Sequence, residues 1–409
     1  MSDEQTRPTQ AEIIRHLELD RFSWSIFEGQ YEEIVVEGAD LSDMSERQHQ
    51  LEFRKPIKFR RCIFSRWPFG QAVVHATAEF SGCKFTGDFQ IGSLSGGSSG
   101  AVTFSACEFQ QSCTIGHVSA ELVLFDCIFS RGLLLQTSFP RAVALGGDRT
   151  KFKGKLTAVG VQFAADFELA WFTVEGTKGT KKATAAVDFS RATFEQKASV
   201  AGMRFTGPVS FNSAKFNGPT HFRQTVFEVA PAFHGADLNP ETVFDPIDQF
   251  DAQFPDTKSD NAEKRYQTLK GLFGAQQALS EQLGFSRLEM KAHAKRLPWW
   301  RNTHRLYGWL ADYGLSWNRP LLWLAVLTAV FSGVYWHFMK AGHLHTDAIM
   351  FSLANAFPFV GSIKEMLPKD MFDPAIRVAV ASFSVLQSFA SSLALFLIAL
   401  GIRNRLRMK

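Results

Sequence analysis

The chain of 409 residues lacks the short signatures that carry most enzyme chemistry. It holds no Gly-rich phosphate loop followed by Lys and Ser/Thr, no GxSxG elbow, no HExxH grouping and no recognisable carboxylate pair. No catalytic activity is therefore expected, and no cofactor or metal. Cysteine is scarce, with five residues and no CxxC. Cys113 has no partner at metal-ligand spacing, which argues against a zinc site, and the cysteines fit a reducing compartment. Charge is also muted. The net value is +4, made of −4 over residues 1–250 and +8 over the remainder. A nucleic-acid binder would carry a basic face on its soluble part, so nucleic acid is not an expected partner. The first forty residues are acidic and broken by charge, and no signal peptide is read there. Gly92 to Gly100 (GSLSGGSSG) lacks the Lys-Ser/Thr of a phosphate loop and reads as a flexible protrusion.

Phenylalanine, by contrast, is abundant at 40 residues, and its spacing is informative. Phe189, Phe194, Val200, Phe205, Phe211, Phe216, Phe222, Phe227, Phe233 and Leu238 follow one another at intervals that alternate between five and six. Two positions before every second one stands Ala192, Met203, Ala214, Thr225 or Ala236. A straight strand sends residues five apart to opposite faces, and a helix separates them by about 140°. An eleven-residue period also fits a right-handed helical supercoil. Pro208, Pro219 and Pro231 oppose that reading, each costing a helix interior roughly 3 kcal/mol. What remains is a chain that turns a corner every five or six residues and returns each large side chain to a common axis.

The same grammar appears earlier as Cys62-Ile63-Phe64, Cys83-Lys84-Phe85, Cys107-Glu108-Phe109 and Cys127-Ile128-Phe129, preceded by Phe59, Phe80, Phe104 and Leu124. The cysteines take the small inward position and read as compact buried hydrophobes. Together with Ala39-Asp40-Leu41-Ser42-Asp43 and Ala236-Asp237-Leu238-Asn239-Pro240, this pattern resembles the pentapeptide-repeat family. The resemblance implies a right-handed, four-sided β-helix over about 39–250, behind an acidic N-terminal cap over 1–38. Its core would include Phe189, Phe194, Phe205, Phe211, Phe216, Phe222, Phe227 and Phe233.

After residue 250 charged residues return at helical spacing. Tyr266, Leu269, Phe273, Leu279, Leu283 and Leu288 lie among Lys264, Lys270, Glu281, Arg287, Glu289 and Lys291, which predicts two amphipathic helices with an interruption near Gly284. They belong to a linker over 258–318 and are expected to cap the open end of the solenoid, with partner binding as the alternative.

Two stretches without formal charge follow, Leu321 to Phe338 and Val378 to Ile402, within a hairpin over 319–409. Each is long enough to cross ~30 Å of hydrocarbon at 1.5 Å per residue, the first narrowly. Trp299, Trp300, Trp309, Trp317, Trp323, Tyr335 and Trp336 surround the first as an interfacial belt would. Lys291, Lys295, Arg296, Arg301, Arg305 and Arg319 precede it, and Arg403, Arg405, Arg407 and Lys409 follow the second. The expectation is a membrane protein with the solenoid and both termini cytoplasmic.

Between the spans, Ala348 to Val360 is too short to cross and too apolar for a solvated loop, so a re-entrant or interfacial segment is expected over about 347–360, with Ser352, Asn355 and Pro358 as its notable residues. The second span carries Ser384, Gln387, Ser388 and Ser391 on one helical face. That stripe either packs helices closely or lines water. No Thr-Val-Gly-Tyr-Gly filter is present. The stretch Ala311 to Pro320 and the ending Leu400-Gly401-Ile402-Arg403-Asn404-Arg405 resemble bacterial membrane-anchored pentapeptide-repeat proteins with a two-span, channel-like C-terminal hairpin. The expected partners are the lipid bilayer, further copies of the chain and a cytoplasmic protein. The expected function is a homo-oligomeric ion-conducting or gated pore, with a non-conducting interaction scaffold as the alternative.

Overall fold

The computed structural model describes residues 8–19, 21–44, 51–97, 100–175, 186–296, 303–340, 342–357 and 371–407. They form two compact units, residues 1–288 and 289–409.

The first unit is a parallel β-solenoid of about eight turns. Its strands stack into four sheets, of which the first runs from Ile34–Glu37 through Ile57–Arg60 and Thr77–Ser81 to Thr220–His221. Every pairing between named strands is parallel, and inward residues sit in register: Phe59 opposes Phe80, Phe80 opposes Phe104, and Phe85 opposes Phe109.

The alternation of five and six has a backbone cause. Five-residue steps cross corners where one residue is left-handed, as at Arg191 between Phe189 and Phe194 and at Gly202 between Val200 and Phe205. A small inward side chain follows at most of these corners, such as Ala192. Six-residue steps cross the other two corners, where Pro208, Pro219 and Pro231 fix the turn with φ preset. Along the corner that leaves the first sheet, Gly38, Arg61, Gly82, Ala106, Asp126, Gly147, Trp171, Gly202 and Gln224 are all left-handed. Left-handed geometry costs a non-glycine residue roughly 1–2 kcal/mol, so the register of the coils must enforce it.

Inside, the rings form columns. Phe64, Phe85, Phe109, Phe129 and Phe152 stack with centroids 5.2, 4.9, 5.0 and 4.6 Å apart. Phe163, Phe194 and Phe216 stack at 5.1 and 4.8 Å, Phe189, Phe211 and Phe233 at 5.7 and 4.9 Å, and Phe205 lies 5.3 Å from Phe227. All eight core phenylalanines named from the ladder are buried. The thiols of Cys62, Cys83, Cys107 and Cys127 form a second column, each donating to a carbonyl of the preceding coil at 3.5, 3.3, 3.2 and 3.4 Å. Thr225 continues the motif by donating to the Val200 carbonyl.

One segment corrects the sequence reading. Residues 92–96 are not a protrusion but the second half of the strand Phe89–Gly96, which runs through a corner. Its first half pairs with Cys113–Ile115 and its second half with Ala72–Val74, fusing two sides of the solenoid. Glycine is required there because the backbones converge: a Cβ on Gly116 would lie 2.3 Å from the Gly92 carbonyl oxygen. Ser98 and Ser99 lie outside the described residues.

Helices cover both ends. Gln10–Glu18 and Arg21–Glu28 bury Ile13, Leu17, Trp24 and Phe27, and the Trp24 indole donates to the Glu52 carbonyl at 3.1 Å. At the other end Phe273 and Phe285 stack at 5.6 Å and close over Phe244 and Phe254. Gln253 donates to the Phe222 carbonyl at 2.6 Å, and Gln276 donates to that of Leu238. The helix break falls at Gln277, whose φ is +59°, and not at Gly284. Gly284 is inside the Leu279–Arg296 helix because Phe250 packs directly on it, 2.4 Å from where a Cβ would stand.

The second unit contains helices Thr303–Ala311, Asn318–Phe338, His345–Ala356 and Arg377–Arg407. Two of its segments, Asn318–Phe338 and Pro374–Arg407, are long and apolar enough to cross a membrane, with mean hydropathy 1.6 and 2.0. Trp299 and Trp300 of the expected belt lie outside the described residues.

Candidate functional site

The distinctive chemistry of the hairpin is a neutral polar network buried among three helices. Asn318–Phe338 supplies Thr328 and Tyr335, the short helix His345–Ala356 supplies Ser352 and Asn355, and Arg377–Arg407 supplies Ser384 and Gln387. At 1.5 Å per residue the short helix is about 18 Å long, too short to cross the hydrocarbon.

Gln387 is the hub. Its Nε2 donates to the Ser352 carbonyl at 3.0 Å and to Ser352 Oγ at 2.8 Å, while its Oε1 accepts from Tyr335 Oη at 2.9 Å. Ser352 Oγ donates onward to the Thr328 carbonyl at 2.7 Å. Asn355 Nδ2 donates to Tyr335 Oη at 3.4 Å, and Asn355 Oδ1 accepts from Ser384 Oγ at 2.8 Å. Tyr335, Ser352, Asn355 and Gln387 are fully buried, and the bonds among them are made away from solvent. Such groups are costly to strand without partners, which fixes the orientation of the short helix.

Small and apolar side chains complete the packing. Leu324, Ala356 and Ala394 form one cluster, and Tyr335, Ala348 and Val380 form another with Phe331, Phe351, Phe372 and Phe383 around it. Asp347 caps the short helix by accepting from the Leu344 N–H at 3.1 Å, and His343 Nδ1 lies 3.7 Å from the same carboxylate.

The structure thus brings Ser384 and Gln387 together with Ser352 and Asn355. Ser391 is buried on the same helix, and its hydroxyl has no hydrogen-bond partner among the described residues. Ser388 is half-buried. Pro358 lies outside the described residues, as do residues 358–360 of the expected re-entrant segment. Sequence reasoning missed Tyr335, assigned to the aromatic belt, and Thr328. Their only signal was an i, i+7 spacing on one face of the first span. It also missed that His343 and His345 flank Leu344 at the short helix's start, where the His345 ring stacks on Trp336 at 3.3 Å.

The two stretches on which the membrane-family resemblance rested are neighbours in this unit. Asn404 Nδ2 donates to the Gly314 carbonyl at 3.0 Å, and Gly401 lies against the backbone of Ser316 and Trp317. Gly314 has φ +84°. Beyond this packing, the helices turn large apolar side chains outward, including Leu322, Val330, Val378, Val385, Phe389 and Phe396.

Among the described residues no group of three or more His, Cys, Asp or Glu is placed to hold a metal ion. No protein-family model matches the chain, and no curated protein or solved structure matches it.

Proposed function

We propose that this is a homo-oligomeric protein of a bacterial inner membrane, whose two-span hairpins surround a gated ion-conducting path and whose β-solenoid faces the cytoplasm as a sensing or docking domain. The observation that carries this reading is the half-length helix His345–Ala356, seated between two membrane-length helices by the buried Gln387 network. A plain anchor needs two spans and no more. Fixing a third, non-crossing helix at the cost of burying the polar side chains of Tyr335, Ser352, Asn355 and Gln387 makes sense where the chain following it must be held in one place. On this reading Ser384 and Gln387 seat the short helix and do not line water. The outward apolar faces meet lipid and neighbouring copies, because two spans cannot enclose a path alone. The basic residues flanking the spans support the cytoplasmic placement. No reaction is assigned to the protein.

Planar-bilayer recording of the purified full-length protein beside Ser384→Leu/Gln387→Leu tests the proposal. Currents in the wild type, lost in a variant that keeps its solenoid, support it. Silence of well-folded wild type under varied tension, voltage and pH removes it. The use of Ser384 and Gln387 for bonds within one chain favours a second reading, a non-conducting anchor whose solenoid recruits a cytoplasmic protein. A stoichiometric partner retained after exchanging the hairpin for an unrelated anchor would select that reading.

A further inference from the structure

Trp171 departs from the chemistry of its corner column, whose other members are glycine, alanine or polar. It is the bulkiest side chain placed there, with φ +62°, and it is 57% exposed. It also constrains the next coil, since a Cβ on Gly202 would lie 2.6 Å from the indole ring. Three costs coincide: a strained backbone, an aromatic side chain given to solvent, and an obligatory glycine beneath it. The backbone strain is shared with the other non-glycine residues of this corner, whereas the exposed indole and the glycine it forces on the next coil belong to Trp171.

Beside the indole opens a cleft of about 490 Å³, a volume typical of small-molecule sites. One wall is a lip formed because four residues, 147–150, turn this corner where neighbouring coils use two. The lip is pinned by the Arg149 N–H donating to Asp126 Oδ1 at 3.0 Å and the Thr150 N–H donating to the Gly147 carbonyl at 3.0 Å. Lys151 and Lys153 line the cleft together with Asp148 and Glu175. The two lysines flank the inward Phe152 and are both exposed.

We propose that this cleft binds a nucleoside phosphate. The Trp171 indole, backed by Gly202, offers a stacking surface for the base. Lys151 and Lys153 supply point charges for the phosphates, and Asp148 and Glu175 accept from amino or hydroxyl groups of the base and sugar. A simple anion leaves the indole and both carboxylates unused, and an apolar ligand leaves four charges unused. A nucleoside phosphate engages all of them.

The test is calorimetric titration of the full-length protein in lipid nanodiscs with ADP, GDP and UDP, and separately with adenosine and inorganic pyrophosphate. At least one diphosphate is expected to bind saturably, one per chain, and at least tenfold more tightly than adenosine or pyrophosphate. Lys151→Ala/Lys153→Ala should weaken it at least tenfold. Trp171→Gly should abolish binding while leaving the melting temperature unchanged or raised, because glycine is at ease in this conformation. Failure of all three diphosphates to bind, pyrophosphate binding as tightly as ADP, or a lowered melting temperature in Trp171→Gly would each overturn the proposal.

Discussion

Replacing Phe109 by alanine tests the solenoid at the middle of its column of five stacked phenylalanines. Phe109 is 1% exposed and lies between Phe85 and Phe129, with centroids 4.9 and 5.0 Å away and interplanar angles of 6° and 1°. Phe89 meets its edge at 5.0 Å and 72°. Truncating a buried phenylalanine costs about 3–5 kcal/mol through lost transfer energy and the cavity left behind. With Phe104 at 5.8 Å there are four ring neighbours, each contributing ~0.5–1.5 kcal/mol beyond area, which places this site in the upper half of that range. For a unit of this size a cost of about 4 kcal/mol lowers the melting temperature by roughly 8–16 °C. Phe125, on the same solenoid but pointing outward and 48% exposed, is the internal control. Its replacement by alanine should cost less than about 1 kcal/mol. Calorimetry of the full-length protein measures both variants side by side. A Phe109→Ala shift no larger than that of Phe125→Ala refutes the inward aromatic column.

Further outcomes follow from other buried groups. Phe216→Asp places a carboxyl against Phe194 in the core; burial raises its pKa, so the variant should be least stable at neutral pH and recover partly on acidification, and a denaturation series insensitive to pH would contradict this. Glu28 is buried under the N-terminal helices, and burial raises its carboxyl pKa despite the Lys55 N–H donated to it at 2.9 Å. A pKa raised by folding gives stability that is present at acid pH and lost as pH rises, so wild type should gain stability relative to Glu28→Gln between pH 7 and pH 5, and a loss would contradict the assignment. The hydrogen-bonded thiol column pushes Cys83 up to about 12 and shifts Cys62 and Cys107 upward as well, while burial raises Cys113. Iodoacetamide at pH 8 should therefore label none of these four before the solenoid unfolds; mass spectrometry showing their native alkylation would count against the column.

The solenoid was legible where inward positions are chemically uniform. From Phe189 to Leu238 nearly every large inward residue is phenylalanine and every corner is short, so spacing alone reveals the coil. It was illegible around Gly92, because glycine and serine there serve a close backbone approach across a corner, and their composition is that of a flexible linker. Gly284 misled for the same reason: it is read locally as a breaker, and only the approach of Phe250 explains its place within a helix. In the hairpin, Gln387 and its serines stood out as polar residues in an apolar run. Their partners did not, because a tyrosine near a membrane edge has an ordinary explanation, and side chains 52 residues apart, as Tyr335 and Gln387 are, leave no local pattern.

The helical caps make the solenoid a ruler of fixed length. Helices packed on both terminal coils hinder a further copy from extending the stack. The nine strands of the first sheet mark off eight inter-coil steps, about 38 Å at the ordinary spacing of ~4.8 Å. Gain or loss of one whole coil of about 22 residues would alter that reach by ~4.8 Å while leaving both ends as they are. Distance is thus a property this gene can tune in discrete increments, independently of the hairpin.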